Sequence, residues 1–199
     1  MKFQDFLQQR LFGPLGMKDT TFWPTEAQVQ RLAKSYKPNA AGTDLEETTI
    51  TQLRYPLTDR MRRYPMPAGG LFSTAGDMGN FCRMILNGGQ FGGKRLLSPS
   101  ALEEMTRNQL SGAALQDVAQ YLSSPTDFDG YGLGWFTIAS SGFGHPGAYS
   151  TDMRVDLKHG IATVWMVQQA GFSGEGAKSE DAFNQAVAKR FMSSTDANK

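Results

Sequence analysis

The sequence predicts a mixed domain of the α/β type (α+β), in which helices come first and an antiparallel sheet comes late. Two observations predict this order: helical patterns with capping signals occupy the first half of the chain, and apolar residues alternate with a period of two after Gly130. A last helical pattern, Ser179–Met192, is expected to cover the sheet. With 199 residues, 40% of them hydrophobic, the chain has the size of a single domain spanning 1–199.

The first helix is predicted at the very start of the chain. Apolar residues recur at helical spacing from Phe3 to Leu11, and Gly13 with Pro14 is expected to end the pattern. The helix has no start signal, because no capping residue precedes it. A helix without a beginning predicts that this sequence was cut from a longer one.

Two capped helices follow a region rich in turn formers. Residues 16–67 hold frequent Pro, Gly and Asn and predict short strands and loops. Ser73 or Thr74 can cap a helix that the glycines at 88–89 end. A second helix opens at Ser98–Pro99, with proline at the first helical position.

The period-two patterns predict three strands near the C-terminal end. In Tyr131–Thr137 the alternation includes glycines, which predicts a strand that another part of the chain approaches closely. Thr151–Leu157 has one polar face, and a turn at 158–160 leads into Ile161–Val167. That last segment is almost unbroken apolar sequence, so we expect it to be covered on both sides.

Composition excludes several classes of function. The 20 Lys and Arg residues nearly balance 19 Asp and Glu, which argues against a nucleic acid or an anionic membrane as the main partner. The basic cluster around Arg62 and Arg63 is interpreted as a solvated surface turn. No apolar run approaches the ~20 residues that cross a bilayer, and the opening residues have no signal-peptide pattern. One cysteine and two histidines are too few ligands for a structural zinc site, so we expect neither a metal nor another cofactor.

Four short segments stand in an informative order. They are Phe-Gly-Pro-Leu-Gly-Met at 12–17, Pro67–Asp77, Tyr-Gly-Leu-Gly-Trp at 131–135 and Gly-His-Pro-Gly-Ala at 144–148. Together they resemble the serine β-lactamase and penicillin-binding protein superfamily, and most closely its class C-type β-lactamases and the related esterases and D-aminoacyl hydrolases. The resemblance covers essentially the whole chain and implies the C-terminal portion of a β-lactamase/transpeptidase-like fold. Members of this superfamily are often periplasmic or secreted.

The resemblance implies a site at residues 145–150. His145 takes the place of the lysine or histidine that polarises the far side of the site, and Gly147 lets the strand backbone approach the substrate. Ala148 offers one backbone N–H of the oxyanion hole, and Tyr149 and Ser150 are expected to border the cleft. Taken alone, a histidine before Pro-Gly is more often a turn residue with a satisfied side chain. The order of the motifs favours the functional interpretation.

The nucleophile of this superfamily is missing from the sequence. Members carry Ser-x-x-Lys and Tyr-x-Asn, whereas here no lysine has Ser or Thr three residues before it and no tyrosine has Asn two residues after it. We therefore interpret the chain as the C-terminal portion of a serine hydrolase that acts on an ester, amide or β-lactam through an acyl-enzyme, and we predict that this chain alone is inactive. Pro146 stands where lysine-type members offer a hydroxyl, which favours ester or amide substrates. The alternative is a non-catalytic ligand-binding or interaction module derived from that fold.

The resemblance also predicts how the chain associates. In the superfamily, strands from the N-terminal end complete the sheet, so the apolar strand at 161–167 is expected to expose an unpaired edge. Such an edge favours pairing with another strand. We expect a homo-oligomer formed through this edge, or pairing with a separate N-terminal segment.

Overall fold

The computed structural model describes residues 1–49, 55–121, 128–138, 142–171 and 177–192. Its helices are α1 (Phe3–Leu7), α2 (Gly13–Leu15), α3 (Glu26–Val29), α4 (Ala75–Leu86), α5 (Pro99–Thr106), α6 (Gly112–Tyr121) and α7 (Ala177–Val187). Its strands are β1 (Ser35–Pro38), β2 (Leu45–Thr48), β3 (Gln90–Phe91), β4 (Lys94–Arg95), β5 (Phe128–Tyr131), β6 (Phe136–Ile138), β7 (Gly142–Pro146), β8 (Asp152–Asp156) and β9 (Ile161–Trp165). The α+β class and the late sheet are therefore confirmed.

The main sheet is an antiparallel meander of five strands in the order β5-β6-β7-β8-β9. Helix α4 lies against β9 from one side. Helix α7 lies on the other, where the rings of Phe183 and Trp165 are 5.3 Å apart. The prediction that a C-terminal helix covers the sheet is thus confirmed, although β9 ends at Trp165 rather than Val167 and its residues are half-buried. The pairs β1–β2 and β3–β4 form two separate hairpins.

The prediction of one strand over Tyr131–Thr137 is wrong, because the chain turns back within it. Gly132 N–H donates to the carbonyl of Trp135 at 2.7 Å, and Gly134 has a φ of 88°, so β5 and β6 are the two arms of a hairpin. The expected close approach is present: a Cβ on Gly132 would lie 2.5 Å from the carbonyl oxygen of Met105. Glycines that alternate with apolar residues here mark a turn and a contact with the end of α5.

The first helix is present but does not end at Gly13 and Pro14. Between α1 and α2 the chain forms a π-helical stretch, Gln8–Phe12, and the helix continues to Leu15. Gly16 ends it in the left-handed conformation, with a φ of 66°. Pro14 lies in the last turn of this helix, directly after the π-helical stretch.

Two further helix boundaries differ from the prediction. The sequence does not predict helix α6, because Gly112–Tyr121 has few large apolar residues. The C-terminal helix begins at Ala177, two residues before the predicted Ser179, and its last turn, Ala188–Met192, is π-helical. None of the helices in the described ranges combines the length and apolar character that crossing a bilayer requires.

The core lies between the N-terminal helix, α4 and the sheet. Its fully buried side chains include Leu15, Met84, Phe143 and Val155. Cys82 lies in the same cluster, 2% exposed, and burial raises the pKa of its thiol to about 11. The α4 face formed by Met78, Phe81, Cys82 and Ile85 packs into this core.

The motif Pro67–Asp77 joins the start of α4 to the segment after the first helix. Thr74 caps α4 by accepting the N–H of Asp77 at 3.2 Å. The buried Asp77 carboxylate accepts the backbone N–H of Asp19 and the hydroxyl of Thr20, both at 2.8 Å. A single carboxylate thus satisfies donors from a segment that is distant in sequence.

The basic cluster is only partly solvated. Arg62 forms an exposed ion pair with Asp59, as a surface turn predicts. Arg63 is buried instead, and its guanidinium lies 5.6 Å from the ring centre of Phe72. The carbonyl of Arg63 accepts the indole N–H of Trp23 at 3.0 Å. The expectation of a wholly solvated turn is therefore wrong for Arg63, whose stem and backbone are part of the packing.

Candidate functional site

The residues predicted for the site lie together at one end of the main sheet. Strand β7 ends at His145 and Pro146, and a tight turn leads from there into β8. Gly147 N–H donates to the carbonyl of Thr151 at 2.6 Å, and Ser150 N–H donates to the carbonyl of Gly147 at 2.9 Å. We call residues 147–150 the rim turn.

The rim turn is bonded to the segment that follows β9. Ser150 adopts the left-handed conformation, with a φ of 62°, and its hydroxyl donates to the carbonyl of Gln169 at 2.8 Å. Gln169 N–H in turn donates to the carbonyl of Tyr149 at 3.2 Å. The hydroxyl hydrogen of Ser150 is therefore used in holding the turn, and Tyr149 is fixed through its backbone.

Gly147 is required by the packing of the turn. A Cβ at this position would lie 2.1 Å from the hydroxyl oxygen of Thr151. Ala148, at the apex of the turn, is exposed. Its backbone N–H donates to no acceptor in the part of the chain that the structure describes. An unused N–H on an exposed residue of a hydrogen-bonded turn can bind an oxygen that carries developing negative charge.

His145 is exposed, and both nitrogens of its ring are hydrogen-bonded. Nδ1 lies 2.7 Å from the carbonyl oxygen of Pro146, and Nε2 lies 3.2 Å from the hydroxyl oxygen of Tyr131. The ring centre of Phe136 is 5.0 Å from that of the imidazole, and the Tyr131 ring contacts it edge-on at 6.0 Å. The imidazole is thus held by one main-chain bond, one phenol and two aromatic rings.

Tyr131 and Phe136 are site residues that the sequence alone did not reveal. They reach His145 through the sheet register: Tyr131 pairs with Phe136, and Phe136 pairs with Gly144, the neighbour of His145. The quoted segment at 131–135 contained Tyr131, but only as part of a strand pattern. A hairpin interpretation of the glycines in that segment is the signal that could have placed Tyr131 beside β7.

Charged residues lie behind the rim turn, between β8 and α7. Arg154 Nε donates to the buried carboxylate of Asp152 at 2.7 Å. Burial, together with the negative charge of Asp152, raises the pKa of Glu180 to about 7. No cluster of three or more metal-binding side chains occurs in the described ranges. The chemistry that the site can offer comes from an imidazole, a phenol and a main-chain N–H.

Comparison with known sequences places the chain in a family. Residues 1–187 match the family model described as Beta-lactamase. Penicillin-binding protein 4 of Amycolatopsis lactamdurans is 33% identical over 148 residues, which cover 72% of this chain and 35% of that protein. Protein Rv1367c of Mycobacterium tuberculosis is 26% identical over 197 residues, covering 92% of this chain and 47% of its own length. The chain therefore spans less than half the length of these relatives.

Solved structures share the fold at low sequence identity. Simvastatin synthase (LovD) from Aspergillus terreus superposes with a TM-score of 0.77 at 18% identity, covering 96% of this chain and 51% of that chain. EstCE1, described as a hydrolase with promiscuous acyltransferase activity, gives 0.63 at 19% identity over 87% of this chain and 48% of its own. A penicillin-binding protein homologue from Caulobacter crescentus gives 0.61 at 18% identity, over 87% of this chain and 48% of that one. With the family match over 1–187, the motifs and the shared fold lead to one conclusion: this chain belongs to the β-lactamase family.

Proposed function

We propose that this chain forms the oxyanion side of the catalytic cleft of a serine hydrolase or acyltransferase that acts through an acyl-enzyme. The observation that carries the proposal is the unused N–H of Ala148, which lies on the rim turn next to His145. A tetrahedral intermediate of acyl transfer has an oxyanion that needs such donors. The nearby imidazole can hydrogen-bond the reacting groups at the same edge of the cleft.

Relatives in the structural comparison support acyl transfer as the class of reaction. EstCE1 carries hydrolase and acyltransferase in its description, and simvastatin synthase is a synthase of the same fold. An ester, an amide or a β-lactam is therefore the proposed substrate of the complete enzyme. Pro146 offers no hydroxyl to bind the carboxylate of a β-lactam, so an ester or amide is favoured.

The proposal requires a nucleophile that these 199 residues do not supply. Neither Ser-x-x-Lys nor Tyr-x-Asn occurs in the sequence. An acyl-enzyme forms only when a serine and its base lie within hydrogen-bond reach of one another. We therefore expect this chain alone to show no hydrolysis above buffer and no serine labelled by a fluorophosphonate.

The experiment compares this chain with a longer product of the same gene that contains a Ser-x-x-Lys. Chromogenic esters, a chromogenic β-lactam and fluorophosphonate labelling followed by mass spectrometry are applied to both. The longer chain is expected to be labelled on that serine and to hydrolyse the ester. A covalent mass increase on a serine of this chain alone would contradict the proposal. A gene without an upstream Ser-x-x-Lys would favour the non-catalytic binding module.

In the longer chain, replacing Ala148 with proline removes the proposed oxyanion donor. We expect kcat to fall by about 10²–10³-fold, the usual effect of losing one such N–H. Ala148→Gly keeps the N–H and serves as the matched control, with circular dichroism to confirm that both variants fold. Equal activity of the proline and glycine variants would show that this N–H plays no part.

We also propose that the outer edge of β9 pairs with another strand. Gln168 and Ala170, beyond the end of β9, bond to Tyr36, which extends the pairing past the strand. Ile161–Trp165 itself has β8 on one side and no strand on the other within the described ranges. An open edge of apolar sequence favours association. Light scattering is expected to show a mass that rises with concentration, and a monodisperse monomer at high concentration would overturn this proposal.

A further inference from the structure

The hydrogen bonds of His145 define which of its nitrogens carries the hydrogen. The carbonyl oxygen of Pro146 can only accept, so the 2.7 Å bond requires a hydrogen on Nδ1. In the neutral ring Nε2 is then an acceptor, and the Tyr131 hydroxyl donates to it across 3.2 Å. We infer that Tyr131 is a positioning residue: the Pro146 carbonyl fixes the hydrogen on Nδ1, and the Tyr131 hydroxyl holds the orientation of the His145 ring through its hydrogen bond with Nε2. This inference deepens the proposed function and takes its catalytic meaning from it.

Tyr131 is itself held from the loop between α5 and α6. Its N–H donates to the side-chain oxygen of Asn108 at 3.1 Å, and its carbonyl accepts the N–H of Gln109 at 2.8 Å. The phenol ring contacts Phe136 edge-on, with 4.8 Å between ring centres. Three contacts on one residue place the hydroxyl before any substrate binds, as a positioning role requires.

The Tyr131–His145 pair remains hydrogen-bonded when the ring gains a proton. If Nε2 is protonated, it becomes the donor and the hydroxyl oxygen of Tyr131 becomes the acceptor, while Nδ1–H still donates to Pro146. The hydrogen of the phenol is then free to turn toward another acceptor.

Imidazole ¹⁵N shifts of this chain test the inference, because they distinguish the two tautomers without any need for activity. In the unmodified chain, His145 is expected to show a pyrrole-type Nδ1 and a pyridine-type Nε2. Tyr131→Phe keeps the ring against Phe136 but removes the hydroxyl, and we expect the ¹⁵N resonance of Nε2 to move because its hydrogen bond is lost, while Nδ1 stays pyrrole-type on the Pro146 carbonyl. The other histidine, His159, bonds to Asp156 through Nδ1 and is the internal control for intact folding.

The outcomes separate this inference from the proposed function. A His145 that is Nε2–H in the unmodified chain, or unchanged in Tyr131→Phe, would overturn the positioning role whatever the longer chain hydrolyses. If the expected ¹⁵N shifts appear but the longer chain takes no label, the proposed function fails and the positioning role stands. In an active longer chain, Tyr131→Phe is expected to lower kcat about tenfold with little change in KM, because the lost bond orients a group and binds no substrate.

Discussion

Replacing Gly144 with alanine is expected to lower the free energy of unfolding by about 3 kcal/mol, the upper range for forcing extra atoms into a packed interior. Gly144 is buried in β7, and a Cβ there would lie 2.6 Å from the carbonyl oxygen of Met153 on β8. That neighbour is backbone, so the two strands must separate for the methyl group to fit. This separation of β7 and β8 would begin at Gly144, one residue before His145. Urea denaturation followed by tryptophan fluorescence measures the loss.

Gly79→Ala is the matched control, because it makes the same chemical change in open space. Gly79 lies within α4, and nothing stands within 4 Å of a Cβ built on it. Alanine is expected to raise the free energy of unfolding there by about 0.5–1 kcal/mol, since glycine weakens a helix interior. Both variants restrict the unfolded chain equally, so their difference isolates the contact with Met153. If Gly144→Ala were as stable as Gly79→Ala, β7 and β8 would have room for a methyl group at Gly144, and the expected clash with Met153 would be absent.

The second large effect is expected from Asp77→Ala, which should cost about 2–4 kcal/mol. Asp77 is 8% exposed, and its carboxylate accepts hydrogen bonds from Asp19 and Thr20. Alanine leaves the Asp19 N–H without its acceptor and leaves the Thr20 hydroxyl with only the Ser73 hydroxyl, 2.8 Å away. Because these donors come from the segment after the first helix, that segment is expected to loosen from α4. Denaturation midpoints and amide exchange at residues 18–20 measure the change.

Asp77→Asn keeps an oxygen at nearly the same place and is the control for that variant. The amide oxygen can still accept from Asp19 and Thr20, without the charge that strengthens both bonds. We expect less than half the loss of the alanine variant. Equal losses in the two variants would mean that the negative charge, rather than the pair of hydrogen bonds, stabilises this junction.

Several parts of the fold could be predicted because their signals are local. The Thr74 cap and the glycines at 88–89 bound α4, and Ser98 with Pro99 starts α5, as expected. The β8–β9 hairpin follows from the alternation and the turn at 158–160. The π-helical stretch Gln8–Phe12 has no such local signal, because the same apolar spacing fits an α-helix. Helix α6 is stabilised by tertiary contacts with β5 that its own composition does not reveal.

The candidate site also contains residues that the sequence could locate and residues that it could not. The residues His145 and Gly147 to Ser150 are consecutive, so a motif could locate them, and the structure brings them together in and beside the rim turn. Tyr131 belongs to the site only through the register of three strands, which no spacing in the sequence determines. No sequence motif predicts the hydrogen bond from Ser150 to Gln169, because this bond depends on the path of the chain after β9.

Because Cys82 is buried in the core, its reaction with a thiol reagent reports on local opening of that core. It is the only cysteine among the 199 residues, and a thiol with a pKa near 11 inside the core is almost wholly protonated and shielded from reagents at neutral pH. A maleimide can therefore alkylate it only in molecules where α4 has come away from the sheet. The alkylation rate therefore measures how often α4 separates from the sheet under native conditions, without denaturant.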